Sequence, residues 1–390
     1  MRTPRIEVDL GKILYNTRQV VQQLKPYGIG VTAVTKAVCG HPDIARAMLD
    51  GGAVGLADAR IENLERLKHA GISCPLTLIR TPMPSEVSRV IQACDTSYNT
   101  ELDTIYLLAQ SARQAGRVHD IVLMVEMGDL REGIMPGDLQ QIVREVMTIS
   151  GVQLKGIAAN FACLNATGPD AAAMAMFSEL ARHMGQDLAQ NRGRNSSGTS
   201  KDVAGIFPEI VSGGNSTSLP GFVSFPCEAA QIQPEAVNDL RLGEAILLGV
   251  QPLTGAAIKG LFTDAFTLVA EIIEHKVKPI IWTGPVMPRI TAQDRPDNGV
   301  IPGAGQRRQS ILALGYQDTD IRGLTLPSGN RLVGATSDHL VMESDSKTLV
   351  VGAEIPLRPN YSALMRAMAA GQIHKVTKNR KPDVAKFHYS

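Results

Sequence analysis

Lys36 closes an apolar run, VTAVTK, just before the chain turns through a Cys-Gly pair. An amine at the end of a buried strand is partly desolvated, and a lysine that is neutral part of the time attacks carbonyl carbon. The plainer reading is a rim cation in a salt bridge. Far along the chain, VSGGNSTSL (211–219) gathers small residues that leave backbone N–H groups open, with the hydroxyls of Ser212, Ser216 and Ser218 beside them. Such donors suit a phosphate, although a Gly-Ser turn has the same composition. Arg131 in MGDLREG and Arg241 in LRLGEAILLG add fixed cations, and Asn160 ends GIAAN.

These residues need a scaffold, and the pattern around them supplies one. Strand-like runs recur at VTAVTK (31–36), AVGLAD (53–58), PLTLIR (75–80), DTSYN (95–99), IVLMVEM (121–127), LKGIAANF (154–161), IFPEIVSG (206–213) and EAILLG (244–249). Between most of them lie stretches such as IENLERLKHAG and LQQIVREVM, whose apolar residues recur at helical steps. The strands are mostly apolar on successive residues, as in a parallel sheet buried on both faces. Eight such units in about 240 residues have the count and size of a (β/α)8 TIM barrel; an open doubly wound sheet is the alternative. In a barrel, chemistry sits at the C-terminal strand ends. Lys36, Asp58, Arg60, Arg80, Asn99, Asp129, Arg131 and Asn160 fall there, then the Ser-Gly loop, with Arg241 and Gly249 flanking the eighth strand.

The polar segment 186–204, QDLAQNRGRNSSGTSKDVA, reads as a loop. After about residue 250 the texture changes to runs such as AFTLVAEIIE, SILALGY and HLVMES, parted by turns. The expected organisation is a barrel over 1–250 and a mainly antiparallel β domain over 251–390, with NYSALMRAMAAGQIHKV as its terminal helix.

Of the 390 residues, 44% are hydrophobic and 20% charged, and the net charge is +1. No overall field points to nucleic acid or an anionic membrane. With one Trp, seven Tyr and eight Phe, no stacking platform for bases is suggested. The five cysteines (Cys39, Cys74, Cys94, Cys163, Cys227) are scattered without CxxC spacing. They read as free thiols in a reducing compartment rather than as a disulfide framework or metal site. The segment MRTPRIEVDLGKILYN lacks a signal-peptide core, and no apolar run is long enough to span a bilayer. A soluble cytoplasmic protein is expected.

An imine-forming lysine and a phosphate site in one barrel meet the needs of pyridoxal 5′-phosphate. They equally suit a lyase or aldolase that forms an imine with a sugar phosphate. The motifs go further. VTKAVCGHPDIARAMLDGGAVGLADARIENLERL resembles the start of the fold-type III pyridoxal-phosphate enzymes, the alanine racemase superfamily. EVDLGKILYNTRQV is similar to that family's opening helix, and VEMGDLREGI to its fifth-strand arginine motif. GIAANFAC stands where the family places a His or Asn against the cofactor ring, and LRLGEAILLG resembles its Arg-x-Gly motif. ALGYQDTDIRGL and VGATSDHLVMES resemble its β-domain motifs. SGGNSTSL, LALGYQD and GATSDHL resemble the ornithine and lysine racemase branch.

The resemblance implies a pyridoxal-phosphate-dependent racemase of a free amino acid, a basic one such as ornithine or lysine. Lys36 would hold the cofactor as an imine and act as one acid/base. Arg241 would face the pyridine nitrogen and keep it unprotonated, since two cations in contact are costly. Arg131 would bond the phenolic oxygen or the substrate carboxylate, and Asn160 would lie against the ring. Ser212, Gly214, Asn215 and Ser216, with the backbone N–H groups of Gly243 and Glu244, and Tyr361 as a further candidate, would hold the phosphate. A head-to-tail homodimer is implied, its site completed by the β domain of the partner.

One departure stands out. Alanine racemases carry a tyrosine shortly before a Gly-Tyr-x-Asp motif, as the second base. Here the stretch before Gly315-Tyr316, DNGVIPGAGQRRQS, has none. Tyr316, Asp338 and His339 are the alternatives, and histidine is the type best suited to proton transfer near neutrality. The same fold hosts lyases with a His-x-Cys metal pair, and decarboxylases with a reactive β-domain cysteine. The sequence has no His-x-Cys pair and no cysteine after Cys227. Non-catalytic pyridoxal-phosphate-binding relatives lack a β domain altogether. Asp318, Asp320 and Asp338 are candidates to meet a substrate side-chain ammonium.

Overall fold

A computed structural model describes residues 2–162, 164, 168–195, 208–219, 236–279, 306–346 and 348–384. The chain forms two units, one built from Leu10–Thr263 with residues 381–384 and the other from residues 2–9 with Asp264–Arg380. The boundary expected at 250 is thus corrected to 264, and the first residues leave the barrel. The reason is local. Arg5–Asp9 form strand β1 rather than the start of a helix, and its Ile6 and Val8 are fully buried at period two. β1 pairs antiparallel with β10 (Phe266–Pro279) and parallel with β16 (His374–Lys378). Arg5, itself buried, donates to both carboxylate oxygens of Glu354 at 2.7 and 2.6 Å.

In the first unit a closed parallel barrel runs β2 (Gly30–Val34), β3 (Gly55–Asp58), β4 (Leu76–Leu78), β5 (Thr96–Asn99), β6 (His119–Val125), β7 (Val152–Ala159), β8 (Ile210–Ser212) and β9 (Asp239–Leu242). β9 pairs with β2 to close the ring. The helices are α1 (Leu10–Leu24), α2 (Pro42–Asp50), α3 (Ile61–His69), α4 (Val87–Ala93), α5 (Leu102–Gln114), α6 (Leu139–Val146), α7 (Ala171–Asn195) and α8 (Glu244–Leu248). α1 buries Ile13, Thr17, Val20 and Leu24, a single helical face. Its Asn16 is buried and fully used. Its amide donates to Ile246 O and Phe262 O at 3.0 and 2.8 Å, and its oxygen accepts from Phe262 N–H at 2.8 Å.

Two sequence expectations are corrected here. EAILLG is helix α8, not the eighth strand, and Gly249 ends it in a left-handed conformation at φ 62°. The strand is DLRL, whose polar Asp239 and Arg241 read as loop because a buried strand should be apolar. Both are buried and partnered inside the barrel end. The loop expected over 186–204 is helical as far as Asn195. Met184 on that helix is buried, and Asp187 pairs with Arg144 of α6 at 3.6 Å, which extends the packed face into the polar stretch. The remainder of that segment, Cys163 and Cys227 lie outside the described residues.

At the opposite end of the barrel from Lys36, buried His119 opens β6. The Ser97 hydroxyl accepts from the Asn99 amide at 3.1 Å and meets His119 Nε2 at 2.8 Å. Burial pushes the imidazole down to about 4, so it is neutral at ordinary pH, and its tautomer sets which partner donates in the bond to the Ser97 hydroxyl.

The second unit is a mainly antiparallel sheet. To the strands already given it adds β11 (Gln306–Leu312), β12 (Leu324–Thr325), β13 (Asn330–Ala335), β14 (Leu340–Ser344) and β15 (Glu354–Pro359). Their order is β12-β15-β10-β11-β14-β13, with β1 and β16 attached through β10. The expected terminal helix is α9 (Tyr361–Ala369), but its last predicted residues belong to β16. Ala370 is extended (φ −69°, ψ 120°) and ends the helix first. Among the described residues no helix is long and apolar enough to cross a membrane.

Candidate active site

Lys36 lies two residues past the end of β2 and begins a short 3-10 turn, which Cys39 closes at φ 52°. The residue before it is locked. Thr35 is fully buried, and its hydroxyl donates to Asp58 at 2.7 Å. Asp58, at the end of β3, also accepts from the Arg60 N–H at 2.9 Å and from Asn63 at 3.0 Å. Burial raises the Asp58 carboxyl, while the bonds from Thr35 and Asn63 oppose that rise. The turn that presents Lys36 is therefore rigid at its base, while the lysine side chain itself is exposed.

On β9, the strand beside β2 in the closed ring, Arg241 is buried and densely partnered. It donates to Ser212 Oγ at 2.6 Å, to Ala159 O at 2.7 Å and to Asn160 Oδ1 at 2.8 Å. Its guanidinium carbon stands 5.2 Å from the Tyr98 ring centre, within cation–π range. Two residues earlier on the strand, hence on the same face, Asp239 accepts from Thr32 at 2.6 Å and from the Ser212 hydroxyl. Burial raises its carboxyl, against the pull of these two donors and of Arg241. Asn160 also donates to Glu132 at 3.1 Å, and Glu132 holds Arg131 through two N–H groups. Buried Asp129 lies 3.9 Å from Arg131.

Between these groups runs the Ser-Gly loop. Gly214 sits at φ +118°, and a Cβ there would lie 2.1 Å from Ser218 Oγ, so only glycine allows the approach. The Ser216 hydroxyl accepts from the Gly243 and Ala245 N–H groups, each at 3.3 Å. The Ser218 hydroxyl is buried and has no hydrogen-bond partner among the described residues, a costly state unless a ligand supplies one. The Asn215 side chain works inside the loop instead, accepting from Thr217 N–H at 2.8 Å and donating to Phe161 O at 3.1 Å. Gly243 packs on the end of β2, where an added Cβ would lie 3.3 Å from Val34 O. Next to it the Glu244 carboxyl is raised by burial and held back by the Lys36 charge.

A phosphate fits these donors: an orphaned hydroxyl, a second hydroxyl, a glycine cradle and neighbouring backbone N–H groups. Pyridoxal 5′-phosphate fits the larger set, with its phosphate at this loop, an amine at Lys36 for its aldehyde and a fixed guanidinium at Arg241 for its ring nitrogen.

The candidates of the second unit are described within that unit. Tyr316, Asp338 and His339 meet on one edge of the sheet. The Tyr316 N–H bonds Thr336 O at 3.0 Å, Gln317 bonds the Asp338 carboxylate at 3.1 Å, and Thr336 bonds back to His339 O at 2.8 Å. Gly315 permits this meeting, since an added Cβ would stand 2.1 Å from Ser337 O. All three side chains are exposed. Tyr361 opens α9, half-buried. Asp318 and Asp320 serve their own unit: Asp318 accepts from Gly315 N–H at 2.8 Å and Gln372 at 2.9 Å, and Asp320 from Ser362 at 2.7 Å.

Sequence reasoning missed Glu132, Asp239 and Tyr98. The two-residue spacing of Asp239 and Arg241 was a usable signal, because alternate residues of a strand share a face. Nothing in DLREG separates Glu132 from a solvated surface acid.

Residues 8–217 match the family described as "Alanine racemase, N-terminal domain". Over 377 residues the chain is 32% identical to an ornithine racemase of Acetoanaerobium sticklandii, covering 95% of this chain and 99% of the relative. A lysine racemase of Thermotoga maritima is also 32% identical over 377 residues, covering 96% of this chain and 98% of the relative. Among solved structures, alanine racemase from Streptomyces lavendulae superposes with a TM-score of 0.69 at 19% identity over 100% of both chains. D-threonine aldolase from Filomicrobium marinum reaches 0.69 at 15% identity, over 97% of this chain and 91% of that one. The structural likenesses establish the shared barrel and β-domain fold. With the matched family spanning more than half of the chain and two racemases matching nearly all of it, the chain belongs to the alanine racemase family, and it is a racemase.

Proposed function

We propose that the protein is a pyridoxal-phosphate-dependent racemase of a free basic amino acid, ornithine or lysine being the first substrates to test. One observation carries the reading. Arg241, Asn160 and the Ser-Gly loop are tied into one buried network at the barrel end that also presents Lys36. The names of the full-length relatives support the substrate class.

The cofactor, when bound, supplies a sink for the negative charge that develops at the substrate Cα. The chain does the rest. Lys36 would hold the cofactor at its aldehyde and would move a proton at the substrate Cα on one face. Arg241 would face the ring nitrogen and, being cationic, would keep it unprotonated. Ser216, Ser218 and the N–H groups around Gly214 and Gly243 would hold the phosphate, while Ser212, expected there too, spends its buried hydroxyl on Arg241 and Asp239; Arg131 would orient the phenolic oxygen or the substrate carboxylate. The proton on the other face is moved by Tyr316, Asp338 or His339, with His339 the first candidate. We place these residues at the site from a second copy of the chain, in a head-to-tail homodimer within the cytoplasm.

Purified protein should show a visible absorbance band from the lysine-linked cofactor, and Lys36→Ala should abolish it. If the unmutated protein has no such band even with added cofactor, the reading fails. Incubation with L-ornithine, L-lysine or L-alanine in heavy water should then place deuterium at Cα as optical rotation decays. Released aldehyde or carbon dioxide would instead identify a lyase or a decarboxylase.

A further inference from the structure

We propose that Glu132 is a positioning residue: it fixes Arg131 directly and, through Asn160, sets the acceptor that Arg241 needs. The inference rests on reading Lys36, Arg131 and Arg241 as groups that hold the cofactor.

The geometry is specific. Glu132 Oε1 accepts from Arg131 Nη2 at 2.7 Å and from Asn160 Nδ2 at 3.1 Å, and Oε2 accepts from Arg131 Nε. On its other side Asn160 offers Oδ1 to Arg241 at 2.8 Å. A guanidinium only donates and a carboxylate only accepts, so the amide between them has one workable orientation. Turned over, its NH2 would face the guanidinium donors, and Arg241 would lose an acceptor within a buried site. An ordinary surface ion pair would stop at Arg131. This one continues into side chains that are 9% and 3% exposed, Asn160 and Arg241. Charge alternates along the path, from Arg241 through the amide to Glu132, then to Arg131 and Asp129. Glu132 is thus an anion bonded to both branches.

Glu132→Gln keeps the size and one acceptor oxygen but removes the charge. Glu132→Asp keeps the charge but is one methylene too short to reach both partners. Both are loaded with pyridoxal 5′-phosphate and compared with unmutated protein by pH titration of the visible band and by steady-state kinetics. In the Gln variant the band midpoint should fall by about one pH unit, because an anion near the cationic centre has gone. In the Asp variant it should stay. In both, kcat should drop about tenfold or more from lost alignment, with little change in KM. In an Asn160→Ala background the share of the kcat loss that runs through Asn160 should vanish, so Glu132→Gln should cost less there than in the unmutated protein. An unmoved midpoint with unchanged kcat in both variants overturns the proposal, as does a full additional loss in the Asn160→Ala background. If Glu132→Gln fails to unfold cooperatively on heating, kcat of the Asp variant decides alone. A missing band in the unmutated protein overturns the site reading itself, and is seen before any variant is made.

Discussion

The barrel end and the edge of the β unit both carry polar side chains proposed for one reaction, yet they hold them in opposite ways. In the barrel, Arg241, Asp239, Ser212 and Asn160 are buried and bonded to one another. In the β unit, Tyr316, Asp338 and His339 are exposed and, among the described residues, bond within their own turn and hairpin. Groups that fix a ring and tune its charge work best where water cannot compete and nothing reorganises. Groups that give and take protons must exchange them, and exposure serves that. The contrast implies that stability and turnover separate: barrel substitutions damage both, β-edge substitutions only turnover.

The strongest attempt to break the contrast is Arg241→Leu. It strands three acceptors and leaves Asp239 without its nearby cation, so it should cost about 4 kcal/mol of folding stability as well as activity. A loss below about 1 kcal/mol in urea unfolding would mean that the network carries little of the fold.

His119 gives the next largest effect, through pH. Its folded value of about 4 lies below the ordinary 6.5, so between these values the unfolded chain binds more protons than the folded one. The stability it contributes is present above pH 6.5 and lost as pH falls to 4, about 3 kcal/mol across the window. Urea midpoints at pH 7, 5.5 and 4.5 should decline, and His119→Gln should flatten the decline. An equally steep decline in the variant would assign it to carboxylates instead.

The smallest stability effects belong to the β edge. Tyr316→Phe and His339→Asn should shift unfolding by no more than about 0.5 kcal/mol, while the substitution that removes the second base should cut turnover at least about a hundredfold. If either unfolds the protein as readily as Arg241→Leu does, the distinction between the two regions collapses.

How much of this was legible in the sequence depends on what each residue had to do. Strands β2, β3, β4 and β6 were visible because their residues are mostly apolar and buried, whereas β5, Thr96–Asn99, is buried but polar. β9 was hidden because its inward residues, Asp239 and Arg241, are the polar exception that a functional strand makes. EAILLG was misread for the complementary reason: a short apolar run has no period, and only the glycines at its ends, Gly243 and Gly249, hint at a helical turn. Lys36, Arg241 and the Ser-Gly loop could be proposed from the sequence because motif and position agreed. Glu132 was not, because its importance lies in a bond to Asn160, 28 positions away.

The start of the chain also bears on how the molecule is assembled. Because β1 belongs with β10 and β16, the barrel is an insertion within the β unit, entered after Asp9 and left before Asp264. Entry and exit lie side by side, Asp9 N–H bonding Ala265 O at 2.8 Å. Arg5 meets Glu354 across 349 positions of sequence. During synthesis the barrel can close while β1 waits without neighbours. Once the barrel is compact, its two ends are held close together, and the long loop no longer carries the entropy that its length implies. Evolution could therefore lengthen, trim or exchange the inserted domain without redrawing the sheet that frames it.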